Sequence, residues 1–417
     1  MKKLVTVFLL TLISISVIFA GGSSESGSSN NGQTEIVFWH RISDNFTNEI
    51  AEFEAQNPDI KVISEAVGTN YDDLYTKYMT AIASNSLPNV GIVGQRHGIS
   101  QLYDSGKLLP IEDYIDSASL DDIMPSYWGR FEYKGKKVCI PYSNSVPVLY
   151  YNADLFAELG LEPPKTLEEV VEVAKKATVD RDGDGMTDIY GFNFNSDSAW
   201  YIQPWVWDQG SQVILADDKA SVDNEGYYNT LKTISQMVHV DKSMAANQHA
   251  TGLDDFKNGY VAMFVTSSAN LKQFEDGCDF EVGVAHFPGK YTALGGNSLG
   301  IFASDEKKVE ASIRFVNYLT SLDGSMVNIE KGYLPIRNSF MESDKIKTLL
   351  ENEPKRNVSI DSVADLYAQG VNIADSTIWL ETLDILSIVE SDPNADIKAL
   401  LKDFQETVDQ YYADYSI

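Results

Sequence analysis

The chain reads as an α/β protein of two or three domains, with largely parallel sheets covered by helices. Short β-branched and aromatic runs alternate with segments whose apolar residues recur at helical spacing, the pattern of strands joined by crossover helices. The length, 417 residues, exceeds one domain at roughly 150 residues each. With 43% hydrophobic, 11% aromatic and 22% charged residues, the chain has enough apolar surface to fold rather than stay disordered.

The elements follow in order. Glu35 to Trp39 is a first strand, and Phe46, Ile50 and Phe53 then fall on one helix face. Asn57-Pro58 ends that helix, because proline cannot continue it. Ile60 to Val67 alternates as a strand, Leu74, Tyr78 and Ile82 mark the next helix, and Val90 to Val93 is a third strand. Val138 to Asn152 is extended and punctuated by Pro141 and Pro147, which suits a crossover between lobes. Thr166 with Glu169 makes a capping box for a helix that buries Val170, Val173 and Ala177. A second α/β unit contributes strands at Tyr260 to Val265 and Phe280 to Val284. Leu299 to Ala303 is a further strand, and the helix marked by Val309, Ile313 and Val316 fits either lobe.

The first twenty residues read as an export signal. Lys2 and Lys3 precede a mostly apolar run from Leu4 to Phe19, followed by Ala20, Gly21 and Gly22. The run is short for a membrane span, and no cysteine follows it to carry a lipid anchor. Residues 21–33, rich in Gly, Ser and Asn, read as a flexible leader. The expected location is periplasmic.

The formal charge is -29, from 32 basic and 61 acidic residues. Such a surface repels nucleic acid and anionic membranes. Two cysteines, Cys139 and Cys278, exclude a disulfide framework and a four-Cys zinc site, and a single bridge between them stays open.

Asp180, Asp182, Asp184 and Asp188 occupy the first, third, fifth and ninth positions of a calcium-loop pattern, with Gly185 at the turn. The twelfth position is Gly191, not a bidentate Glu. The loop is therefore either a structural calcium site or an acidic solvated turn. Trp200, Trp205 and Trp207 gather with Tyr201 around Pro204, too many aromatics beside a proline for one buried face, so some of them are expected to line a ligand cleft. Ser267 and Ser268 open a helical stretch after a strand, where hydroxyls and free N–H groups either hold a ligand or cap the helix. There is no G-x-S-x-G, H-E-x-x-H, Walker loop or G-x-G-x-x-G, and none of the five histidines has metal spacing with another. Abundant carboxylates leave a secreted glycoside hydrolase as the rival from the enzyme class.

The stretches FWH at Phe38 to His40, PYSNSVPVLYYN at Pro141 to Asn152, PPKT at Pro163 to Thr166, Asn258 to Ser268, GGNSL at Gly295 to Leu299 and GYLPI at Gly332 to Ile336 together resemble family 1 extracellular solute-binding proteins of sugar-type ABC importers. Within that family the chain is most similar to the periplasmic glycerol-3-phosphate binders. The resemblance implies a two-lobed periplasmic-binding-protein (Venus-flytrap) fold. Lobe 1 would comprise 34–143 and 288–337, and lobe 2 would comprise 149–286 and 341–417. It also implies a monomer without catalysis or required cofactor, which captures a solute and delivers it to an inner-membrane ABC permease with its ATPase.

Tyr71, Gln95, Ser145, Ser267, Gly296 and Tyr333 match the family's pocket positions. Asn297, Trp205, Trp207 and Asn372 complete the expected cleft. Three departures bear on the ligand: Gln95 replaces an acid, Leu167 a stacking tryptophan, and Asn372 a phosphate-pairing arginine. Loss of that arginine removes the fork that holds a phosphate. The expected ligand is therefore a neutral sugar or polyol, with glycerol-3-phosphate or a glycerophosphodiester as the alternative. A receptor feeding a signalling partner instead of a permease is not separable by sequence.

Overall fold

The computed structural model describes residues 32–415 apart from 95–97, 197, 216–218 and 368. The signal segment, most of the leader and Gln95 lie outside the described residues. The strands are β1 (Thr34–Arg41), β2 (Ile60–Gly68), β3 (Val90–Gly94), β4 (Glu132–Tyr133), β5 (Lys136–Lys137), β6 (Ile140–Ser145), β7 (Pro147–Asn152), β8 (Tyr190–Phe194), β9 (Val261–Ser267), β10 (Val282–His286) and β11 (Gly295–Ile301).

Two sheets organise the molecule. One has five strands in the order β2-β1-β3-β11-β6, the other four in the order β10-β7-β9-β8. Each is covered by helices, and of the two aromatic cores the first continues onto one face of the second sheet through Tyr150, Phe264 and Val282. Phe38, Phe53 and Phe315 anchor the first, and Phe192, Trp205 and Phe404 the second. Full burial of side chains of this size contributes roughly 1.5–3 kcal/mol each. The helix Leu167–Ala177 shows how sequence sets local structure. Thr166 Oγ1 accepts from Glu169 N–H at 3.2 Å, the Glu169 carboxylate accepts from Lys165 N–H at 2.7 Å, and Val170, Ala174 and Ala177 are buried.

The sheets are mixed rather than parallel throughout. β1, β2 and β3 run parallel, as do β8 and β9, but β11 is antiparallel to both β3 and β6, and β7 to both β9 and β10. β11 reaches the first sheet from the second lobe, so it enters from the opposite end to strands that follow their own helices. It begins at Gly295, four residues before its expected start at Leu299, and β9 runs on through Ser267.

The chain passes between the sheets at Val146, which joins β6 to β7, and through 287–294, which joins β10 to β11. Segment 344–366 packs on both lobes. Arg356 donates to the carbonyls of Ile329 and Glu330 at the end of a first-lobe helix, while Lys355 pairs with Glu281 and His286 Nδ1 contacts Ser362 Oγ. Both cysteines are free thiols. Burial pushes Cys139 up to about 12 and Cys278 up to about 11.

Candidate functional site

Strand direction locates the cleft. β1, β2 and β3 end together at Arg41, Gly68 and Gly94, and antiparallel β11 starts at that same edge, with Asn297 opposite Gly94 and Gly295 opposite Ser145. In the other sheet β8 and β9 end at Phe194 and Ser267, and Pro147 opens β7 opposite Ser267. Because Ser145 and Pro147 are separated by Val146 alone, these two edges face each other across the crossover. Ligands of α/β sheets bind beyond the carboxyl ends of the strands.

The first-lobe wall is a connected polar set. The Arg41 guanidinium makes a two-point contact with Asp44, at 2.7 and 3.2 Å, and lies 4.5 Å over the centre of the Tyr71 ring. Asn297 Nδ2 donates to Tyr71 Oη at 3.0 Å. Burial raises the Tyr71 phenol above its ordinary value, and the Arg41 charge pulls back only part of that rise. Tyr333 is raised for the same reason. Burial works against the Arg41 charge, but Tyr71 and Asp44 outweigh it, so the guanidinium is held more firmly than usual. The cation here is already neutralised.

Ser268 fixes the junction. Its N–H donates to Val146 O at 2.8 Å and its hydroxyl to Gly332 O at 3.2 Å, which seats Tyr333 beside the crossover. Gly296 has φ +96°, and a methyl group there would lie 1.9 Å from Ser143 O, so only glycine fits. Ser145 is buried at the end of β6. Ser267 Oγ caps the following turn by accepting from Ala269 N–H at 3.2 Å.

The second-lobe wall departs from expectation. The helix Ser198–Asp208 runs through Pro204, and all three of its tryptophans are buried. Trp205 points into the lobe core, 1% exposed, and its Nε1 donates to Pro288 O at 2.7 Å. It is a packing residue that anchors a crossover, not a cleft residue. Trp207 stacks on Tyr367 at 4.4 Å between ring centres. Trp200, left out of the expected cleft set, lies against the edge of the first sheet, where a methyl group on Gly295 would sit 2.1 Å from its ring. Among the described residues Trp200 Nε1 has no hydrogen-bond partner. Neither has Asn144 Oδ1, although Asn144 Nδ2 donates to the carbonyls of Gly295 and Asn297. The signal that singles out Trp200 is its helical position: Trp200, Gln203 and Trp207 share one face and Trp205 lies on another.

Asn372 lies at the crevice between 98–101 and 371–376 and is braced by its own lobe. Its N–H donates to Asp375 and its Oδ1 accepts from Ala374 N–H and Tyr412 Oη. Leu167 starts its helix against the second core. In the acidic loop, carboxylate oxygens of Asp180, Asp182 and Asp188 lie within 4.8 Å of one another, and all three are exposed. Asp184 is not in that group and accepts from Met186 N–H. Asp180 and Asp188 already accept loop N–H groups.

Two α/β lobes with polar and aromatic walls facing across a crossover define a two-lobed binding protein. The chain belongs to the bacterial extracellular solute-binding protein family, whose model matches residues 49–354. The sn-glycerol-3-phosphate-binding periplasmic protein UgpB of Brucella abortus is 25% identical over 376 residues, covering 84% of this chain and 85% of that protein. A maltotriose-binding protein of Pyrococcus abyssi is 24% identical over 400 residues, covering 90% and 82%. Among solved structures, UgpB from Mycobacterium tuberculosis in complex with glycerophosphocholine superposes with TM-score 0.81 at 20% identity, over 93% of this chain and 100% of that one. The maltodextrin-binding domain MalE from Bdellovibrio bacteriovorus, bound to maltotriose, gives 0.78 at 21% identity, over 91% and 100%. These relatives are binding proteins. Among the described residues no helix is long and apolar enough to cross a membrane.

Proposed function

We propose that the protein is the exported solute-binding component of an ABC importer, that it takes a neutral carbohydrate or polyol, and that it performs no catalysis. The observation that carries the ligand class is the pair of unpartnered groups flanking Gly295: the Trp200 Nε1 donor and the Asn144 Oδ1 acceptor. A hydroxyl both accepts and donates, so a polyol can satisfy both, whereas an unpartnered buried group costs about 1–3 kcal/mol. A phosphate is held by a cation or by free N–H groups at a helix start. Arg41 is held by Asp44, and the buried Arg130 pairs with Asp375. The names of the relatives span glycerol phosphates and plain oligosaccharides and therefore do not choose between them.

In this reading residues 1–20 are removed on export, and the closed, loaded form docks on a permease. Any calcium in the acidic loop, held by Asp180, Asp182 and Asp188, is structural and takes no part in capture. The test is a thermal-shift screen of monosaccharides, disaccharides, polyols, glycerol-3-phosphate and glycerophosphodiesters. A ligand bound only by the folded state stabilises it by RT ln(1 + [L]/Kd). A neutral member of the panel should raise Tm without being consumed. A shift confined to the phosphorylated compounds refutes the ligand class, and turnover of a bound sugar refutes the binding role.

A further inference from the structure

We infer that the solute site does not end at Trp200 but continues along the helix Ser198–Asp208 to Trp207 and Thr292, and that the solute is of sugar length rather than a short polyol such as glycerol. The inference rests on the neutral-solute reading proposed above and narrows it.

The strip has two walls. On the first, Trp200, Gln203 and Trp207 share one helix face, and seven residues at about 1.5 Å each set the two tryptophans about 10 Å apart along the axis. The second wall is the chain leading into β11. Asp208 accepts the N–H groups of Lys290 and Tyr291, Thr292 O accepts from Tyr367 N–H at 3.0 Å, and Trp207 stacks on that same Tyr367. At the other end Gly295 lies against the Trp200 ring. The three steps from Thr292 to Gly295 reach up to about 10 Å, so the two walls run side by side with matched ends.

Polar groups without protein partners collect at both ends. Beside Gly295 they are Trp200 Nε1 and Asn144 Oδ1. At the far end they are Trp207 Nε1, a donor, and Thr292 Oγ1, which can donate and accept. Trp207 is 4% and Thr292 2% exposed, and neither atom has a hydrogen-bond partner among the described residues. Between the ends Gln203, 5% exposed, gives its side-chain amide to no described residue. A seam formed by packing alone would turn these donors onto these acceptors, because an unmet buried group is costly. They stay apart, as they would with a third molecule between them.

Hydroxyl groups fit this set. One hydroxyl at each end accepts from a tryptophan N–H and donates to Asn144 or Thr292, and others meet both sides of the Gln203 amide. A phosphate brings only acceptors and would oppose Asn144 Oδ1. Three carbons are too short to place a hydroxyl at both ends of the strip, whereas a sugar ring with its substituents, or a chain of rings, reaches them.

The test is titration calorimetry of wild type, Trp207→Phe and Thr292→Val with glycerol, glucose, maltose, maltotriose and glycerophosphocholine, beside denaturant melts of each free protein. Trp207→Phe keeps a ring on Tyr367, and Thr292→Val keeps the backbone bonds and the branched shape. Both should melt no lower than wild type, since each removes a group that no described residue uses, and each should weaken the tightest sugar about tenfold. Glycerol, which misses both far-end contacts, should bind wild type about a hundredfold more weakly than that sugar. Thr292→Val decides the matter if Trp207→Phe does not fold. Folded variants that bind the sugar as wild type does overturn the inference, as does glycerol bound as tightly as any sugar. Crystals grown with the tightest sugar that show only ordered water between Trp207 and Thr292 overturn it too. A sugar bound without help from Trp207 and Thr292 refutes the strip alone, whereas a panel in which no sugar binds refutes the ligand class and the strip with it.

Discussion

Five residues along the helix Ser198–Asp208 rotate a side chain by about 140°, which separates Trp200 from Trp205. Trp205 fills the second core and holds the crossover through Pro288 O. Trp205→Ala should therefore lower the stability of the free protein by about 3–5 kcal/mol, the range for emptying a large aromatic site. Trp200→Phe keeps a ring against Gly295 and removes only an N–H that no described residue uses. It should leave Tm near wild type and weaken solute binding roughly tenfold, the equivalent of one net hydrogen bond of about 1.4 kcal/mol. Denaturant melts and titration calorimetry on both variants check the assignment. If Trp205→Ala loses binding at unchanged stability, the two residues have been assigned the wrong way round.

Elements were legible where their signal is local. Pro141 and Pro147 marked the crossover because proline fixes backbone shape in any context, and Thr166 with Glu169 marked a helix start by its own hydrogen bonds. Direction was not legible: GGNSL alternates the same way whether β11 runs with or against β3. The facing of the tryptophans was obscured by Pro204, which reads as a breaker but sits inside a continuous helix. Asn372 was placed by order in the chain, and its bonds to Asp375, Ala374 and Tyr412 are to partners that no spacing rule connects to it.

The crossover 287–294 supplies the test at this scale. Asp208 accepts the N–H groups of Lys290 and Tyr291, at 2.9 and 3.0 Å, which ties the segment to the helix carrying the tryptophans. Burial outweighs those donors and holds the Asp208 carboxyl above its ordinary value. Between the ordinary aspartate range and that raised value the folded state binds more protons than the unfolded one. Stability therefore falls as pH rises through this window. Asp208→Asn should flatten that part of the Tm-against-pH curve and lower Tm elsewhere, since an amide oxygen replaces two acceptors with one. An unchanged slope would mean that the group does not titrate there.

At the scale of the whole molecule, charge decides. With 61 acidic residues against 32 basic ones, nearly half of the carboxylates have no cation to pair with, and the surface repels itself at low ionic strength. Salt acts on this repulsion and on the surface ion pairs in opposite senses. Exposed pairs such as Lys402–Glu406 and Lys272–Asp276 contribute roughly 0–1 kcal/mol each before screening, whereas the repulsion is summed over many unpaired acids. The balance favours screening. Raising ionic strength from about 0.01 to 0.15 M shortens the Debye length from about 30 to 8 Å, and Tm should rise across that range. Solute affinity provides the contrast, because a neutral polyol feels none of this field and its Kd should be nearly flat in salt. An anionic solute approaching the same surface would instead change affinity with ionic strength. Calorimetry of one verified ligand at low and physiological salt separates the cases, and a strongly salt-dependent Kd would return the cleft to a phosphate-bearing ligand.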